Sequence, residues 1–143
     1  MTITCAGGSE TLTKAEKARM QAIKDSGCIA CMLATRSTQA PDVHHLTSGG
    51  RRNGHMQTIG LCPYHHRGYI LEGQTKQSMS SVFGPSYAWG RKTFAEFFGD
   101  DEGLLKVQNA VLASFAENPW YNYAVPTNVR RMAYDLWTRE KRR

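Results

Sequence analysis

The order of hydrophobic and polar positions divides the chain into a first half of short, interrupted runs and a second half of longer helical repeats. Residues 1–12 carry Gly, Ser and Thr without periodicity and read as a flexible N-terminus. From Thr13 to about Asp25 the pattern changes. Thr13 with Glu16 three positions on has the form of a helix-capping pair, and Ala18, Ala22 and Ile23 give a weak apolar face, so a short helix is predicted there and Gly27 is expected to break it. The segments APDVHHL (40–46) and QTIGL (57–61) read as two short strands, separated by the basic, glycine-containing stretch TSGGRRNG, expected to be a flexible loop. Pro63 suits the first turn of a helix running on from Tyr64. A helix over Ser86–Phe98 would share Tyr87, Phe94 and Phe97 or Phe98 on one side and end at Gly99. Leu104, Leu105, Val107, Val111, Leu112 and Phe115 repeat at helical spacing before Asn118 and Pro119. A last helix over Thr127–Arg143, capped by Thr127 or Asn128, aligns Met132 and Leu136 with Ala133 and Trp137. Two strands and a helix, followed by more helices and no internal repeat, predict an α+β fold with a ββα unit at its centre.

Composition narrows this picture. At 143 residues with 41% hydrophobic positions, the chain has the length and core material of one domain, taken here as residues 13–143 with a ββα core at about 28–72 and a helical part at 86–143. No run approaches the roughly 18 apolar residues of a membrane span, so no membrane role is expected. The opening residues lack the apolar stretch of a secretory leader, which favours metal binding in a cytoplasmic setting over two disulfides as the use of the four cysteines. The net charge of +6 favours a polyanionic partner.

The candidate chemistry is concentrated in the first half. Cys28-x-x-Cys31 and Cys62-x-x-His65 have the knuckle spacing of a closed tetrahedral zinc site of three thiolates and one imidazole, a structural role because four protein ligands leave no open position. Cys5 lies outside that frame. All five histidines fall between positions 44 and 66, and once His65 is assigned, His44, His45 and His66 remain for a second, open site. At a strand end, consecutive histidines can divide the work of phosphodiester hydrolysis. A divalent cation held by His44 and His66 would neutralise charge on the scissile phosphate while His45 takes the proton of the attacking water. Mg or Mn suits such a site, and imidazole ligation also suits Zn. Arg51, Arg52 and Arg67 flank it and are expected to contact DNA phosphates. The surplus of basic residues over Arg130–Arg143 reads equally as a solvated helix end or a DNA-binding one, and Trp120, Tyr121 and Tyr123 read as core ahead of base-stacking residues.

These residues carry a resemblance. Cys-x-x-Cys, a strand ending in His-His, a Gly-rich loop and then LCPYHH resemble the HNH (ββα-metal) endonucleases, with His65 where the common form has a second knuckle cysteine. More narrowly, VHHLTSGGRRNGHMQTIGLCPYHHRGY followed by FGPSYAWGRKTFAEFFGDDEGLLKVQN is similar to the phage and prophage recombination-enhancement (Ref-type) nucleases, across about Cys28–Asn109. The resemblance implies a metal-dependent, RecA-dependent DNA endonuclease in a bacterial host, acting on single-stranded or RecA-filament-associated duplex DNA, with His44 and His66 as metal ligands and His45 as general base. It places the asparagine that orients the base nine residues before His66, where this chain has Gln57; Asn53 and His55 are rivals, and His55 is also a candidate metal or phosphate contact. Two alternatives remain at this level: a phage HNH nuclease independent of RecA, and a non-catalytic zinc-stabilised DNA-binding module.

Overall fold

The computed structural model describes residues 11–143; the expected flexible N-terminus falls almost wholly outside the described residues, as does Cys5. Helix α1 (Lys14–Ser26) is opened by the expected capping box: the Thr13 hydroxyl accepts from the Glu16 amide at 3.1 Å, and the Glu16 carboxylate accepts from the Thr13 amide at 2.9 Å. Gly27 stops it. The turn expected to carry Cys28 and Cys31 is instead a buried six-residue helix, α2 (Ile29–Ala34), with Cys28 as its N-cap. A run of Ile, Ala, Met and Leu too short to show periodicity hid this element.

Strands β1 (Asp42–His45) and β4 (Thr58–Leu61) pair antiparallel with His44 opposite Ile59 and His45 opposite Thr58, and α3 (Pro63–Arg67) follows directly. This is the ββα unit. Between its strands, the stretch expected to be a flexible loop forms a small ladder instead, β2 (Thr47–Ser48) against β3 (Arg51–Arg52). Gly49 and Gly50 take φ of 59° and 81°, the positive values that a tight two-residue hairpin turn requires at both positions.

The remaining helices wrap this unit. A helix unassigned from sequence, α4 (Lys76–Phe83), precedes a 3-10 turn at Tyr87–Trp89 and α5 (Arg91–Phe98). The single helix expected over Ser86–Phe98 is thus broken at Gly90, although Tyr87 still packs on Phe94 with ring centroids 5.4 Å apart. Helix α6 (Asp101–Glu117) is capped by Asp100, and α7 (Thr127–Lys141) starts at Pro126 without a side-chain cap, so neither Thr127 nor Asn128 has the capping role expected of it. Phe98, Leu104, Val107, Val111, Ala133 and Trp137 join α5, α6 and α7 in the core. Trp120 is buried and its indole donates to the Ser26 carbonyl at 3.1 Å, the core reading of that aromatic; Tyr121 is 76% exposed.

Gly60 fixes how closely α1 can approach the sheet. A Cβ there would lie 2.9 Å from both the Gly27 carbonyl oxygen and Ile23 Cγ2, and the Gly60 amide donates to the buried Gln108 side chain of α6 at 2.8 Å. Gly60→Ala is therefore expected to destabilise by about 1–3 kcal/mol, seen as a fall in Tm of roughly 3–10 °C. An unchanged melting curve would show that α1 shifts without cost.

Candidate metal centre and active site

The helix ends bring the first site together. Cys28 caps α2 and Cys62 caps α3, and each sulfur accepts a backbone amide three residues on, Cys31 N at 3.3 Å and His65 N at 3.5 Å. Cys28, Cys31, Cys62 and His65 converge, fully buried, with all ligand atoms within 4.8 Å of one another. His65 Nδ1 stands 3.5 Å from each of the three sulfurs, and Cys31 Sγ is 3.7 Å from Cys62 Sγ. A tetrahedron with metal–sulfur bonds of about 2.3 Å and a metal–nitrogen bond of about 2.0–2.1 Å has edges of roughly 3.5–3.8 Å. The donor set therefore fits zinc. His65 Nε2 donates to the Phe83 carbonyl at 2.7 Å, which assigns Nδ1 as its ligand atom and ties α4 to the centre.

Electrostatics point the same way. Cys31 is pushed far up by hydrogen bonding with Cys28 and Cys62 and then by burial, while hydrogen bonds with Cys28 and Cys31 pull Cys62 far down. Burial alone would lower His65, yet its sulfur neighbours push it up to about 10. The cluster calls for positive charge at its centre, which a divalent cation supplies.

The second group lies at the end of β1, where strand alternation sends adjacent histidines to different neighbours. His44 meets His66 of α3, ring centroids 5.1 Å apart, and packs edge-on against Tyr87 at 4.6 Å. Burial, then His66, lowers His44 to about 4, so its ring is neutral and able to ligate. His66 Nδ1 is 2.9 Å from Asp42 Oδ2, and Arg67 Nε donates to the same oxygen at 3.0 Å. Hydrogen bonding with His66 is the first cause holding Asp42 below the usual carboxylate range.

His45 turns instead toward His55, with Nε2 and Nδ1 3.0 Å apart. Burial, then Arg52 and His55, holds His45 below the ordinary histidine value. The three histidines expected to share one site, His44, His45 and His66, thus divide: His44 faces His66, and His45 pairs with His55. His55, not Gln57, is the side chain within hydrogen-bond distance of His45; Gln57 is exposed and uses its backbone to pair with Leu46. Arg51 and Arg52 are exposed on β3, with Arg52 near enough to His45 to depress it. Asn53 is exposed.

Two neighbours of these histidines escaped sequence reasoning. Asp42 carries no motif signal, since its relation to His66 exists only through the β1–α3 packing. Arg19 of α1 donates to Thr58 Oγ1 at 2.9 Å, to the Thr58 carbonyl at 2.7 Å and to Asn109 at 2.9 Å, and Thr58 in turn donates to the His55 carbonyl at 3.0 Å. That chain of bonds fixes the turn bearing His55.

Among the described residues, no helix is long and apolar enough to cross a membrane. No curated protein and no solved structure matches the chain. A family model described as recombination enhancement, RecA-dependent nuclease does, over residues 12–113, a span that holds both cysteine knuckles, all five histidines and Asp42. The resemblance drawn from the HH, GGRR and LCPYHHRG blocks is borne out, and the chain belongs to the RecA-dependent nucleases of recombination enhancement.

Proposed function

We propose that this nuclease is a metal-dependent DNA endonuclease of the HNH type, hydrolysing phosphodiester bonds in DNA engaged by a RecA filament, in the cytoplasm of a bacterium carrying a phage or prophage that encodes it. The observation that carries this reading is the facing pair His44 and His66, oriented by Asp42 and adjoined by the His45–His55 pair at the end of a ββα unit.

The chain's own residues supply most of the mechanism. Asp42 Oδ2 accepts a hydrogen bond from the His66 Nδ1–H, which leaves Nε2 as the ligating nitrogen. Mg, Mn or Zn bound between His44 and His66 would neutralise charge on the scissile phosphate and the leaving oxygen. With the shared proton on His45 Nε2 and donated to His55, His45 Nδ1 is the basic nitrogen. It takes a proton from water as the water oxygen bonds to phosphorus and the opposite P–O ester bond breaks, with no covalent enzyme intermediate. Arg51, Arg52 and Arg67 hold the flanking phosphates and do not read sequence. The Cys28, Cys31, Cys62 and His65 centre would hold zinc, which would tie α2 to α3 and take no part in cleavage.

Supercoiled and RecA-coated DNA, assayed side by side with Mg or Mn, test the proposal. Cutting of the RecA-coated substrate well above bare duplex is the expected result. Equal cutting of both removes RecA dependence, and no cutting of either with Mg, Mn or Zn removes the nuclease mechanism. Asp42→Ala is expected to weaken binding of the catalytic cation by about 10- to 100-fold, read by Mn(II) titration with EPR detection. Unaltered Mn(II) affinity would show that His66 keeps its orientation without the carboxylate.

A further inference from the structure

The basic C-terminal helix is not uniformly solvated, and the structure sorts its charges. Near its end, Lys141 donates to the Phe97 carbonyl at 2.7 Å and lies over the Trp137 ring, while Arg143 pairs with Glu140, Asp100 and Glu102. Those cations hold α7 against α5 and α6. At its start, Arg130 and Arg131 line an open groove of about 430 Å³ together with Arg36, which arrives from the separate segment after α2. Met32, Leu33 and Ala34 form its floor, and no carboxylate lines it. Among the described residues, none of these three guanidiniums has a carboxylate partner or a side-chain hydrogen bond. Tyr134 stands on the same groove, 51% exposed, with its ring backed by Trp137 at 5.5 Å.

Three unpartnered guanidiniums from two elements, around an apolar floor and an exposed aromatic, are the components of a single-strand site: cations that follow the phosphates and a ring on which a base can stack. The groove shares no residue with the His44–His66 group, and Arg130, Arg131 and Tyr134 lie beyond the matched span of 12–113. We infer that the groove between α2 and the first half of α7 binds a single strand of DNA through Arg36, Arg130 and Arg131, with Tyr134 stacking beneath a base, as a docking surface separate from the cleavage site.

Fluorescence polarisation with a labelled oligothymidylate tests this, using full-length zinc-loaded protein in a His45→Ala background so that cleavage does not intrude. Arg130→Gln/Arg131→Gln is expected to weaken binding at least about tenfold and to lower the slope of log affinity against log salt by about 1.4, the value for two lost single-strand phosphate contacts. Tyr134→Ala is expected to weaken oligothymidylate at least about fivefold and to leave a duplex of equal length unaffected. Arg139→Gln/Arg142→Gln removes the same charge from the end of α7 and its C-cap, outside the groove, and is expected to change neither quantity. Equal losses from the two double variants overturn the inference, because the effect would then be one of net charge. Unchanged affinity and slope in Arg130→Gln/Arg131→Gln also overturn it, whatever the cleavage assay shows. Melting temperature and zinc content, equal across the variants, exclude misfolding as the cause.

Discussion

Cys62→Ser is expected to abolish cooperative folding, as is stripping the protein with a strong chelator. The substitution separates two roles of one side chain. Cys62 caps α3 by accepting the His65 amide, and it is one of four atoms converging on the buried centre. Serine is at least as good an N-cap as cysteine, so the helix start survives while the thiolate is lost. The consequence is large because metal binding to such sites enters folding directly, at an apparent 10–16 kcal/mol or so, against a total stability of about 5–15 kcal/mol for a domain. Leu61, Cys28 and Cys31 are all fully buried around the centre, so unpaired sulfur there would carry its desolvation cost without compensation. Circular dichroism during thermal melting is the readout, with zinc measured by elemental analysis at about one per chain in the parent. A Cys62→Ser protein that melts as the parent does, or a parent without metal, would leave the four residues as ordinary buried side chains.

Much of this centre was legible in the sequence because a metal site is a local statement made twice. Two knuckles, each spanning four residues, specify their own geometry once the intervening strands pair. The capping pair of Thr13 and Glu16 and the apolar repeat of α6 were readable for the same reason: each depends on residues three or four positions apart. What depended on tertiary packing was not readable. The stretch TSGGRRNG carries turn residues that serve a loop and a hairpin alike, and the ladder between Thr47–Ser48 and Arg51–Arg52 decides between them. The family resemblance, counted back nine residues from His66, placed Gln57 beside His45. The register pairs His45 with Thr58, however, which leaves Gln57 opposite Leu46 just before the start of β4 and lets the preceding turn bring His55 to His45. Asp42 and Arg19 act on partners 24 and 39 positions away, and no window along the chain contains either relation.

His45→Ala is expected to reduce DNA cleavage by about 10²–10⁴-fold, the range for loss of a positioned general base, while leaving fold, zinc content and Mn(II) binding intact. Its ring is half-buried at a strand end and contacts His55, so truncation removes little packing. The neighbouring positions divide the explanations. His44→Ala and His66→Ala remove candidate cation ligands and are expected to lose Mn(II) affinity together with cleavage, whereas His45→Ala loses cleavage alone. His55→Ala tests the orienting bond and is expected to cost about tenfold, because a base held by one hydrogen bond keeps part of its function when it must find its own orientation. Gln57→Ala is expected to change cleavage by less than about threefold, since its side chain is exposed and, among the described residues, makes no hydrogen bond with His45 or His55, and exposed substitutions of this kind are energetically small. If instead Gln57→Ala matched His55→Ala in cost, the pairing of His45 with His55 would belong to the resting protein, and binding of DNA would have to rearrange the turn between β3 and β4 before the base could act.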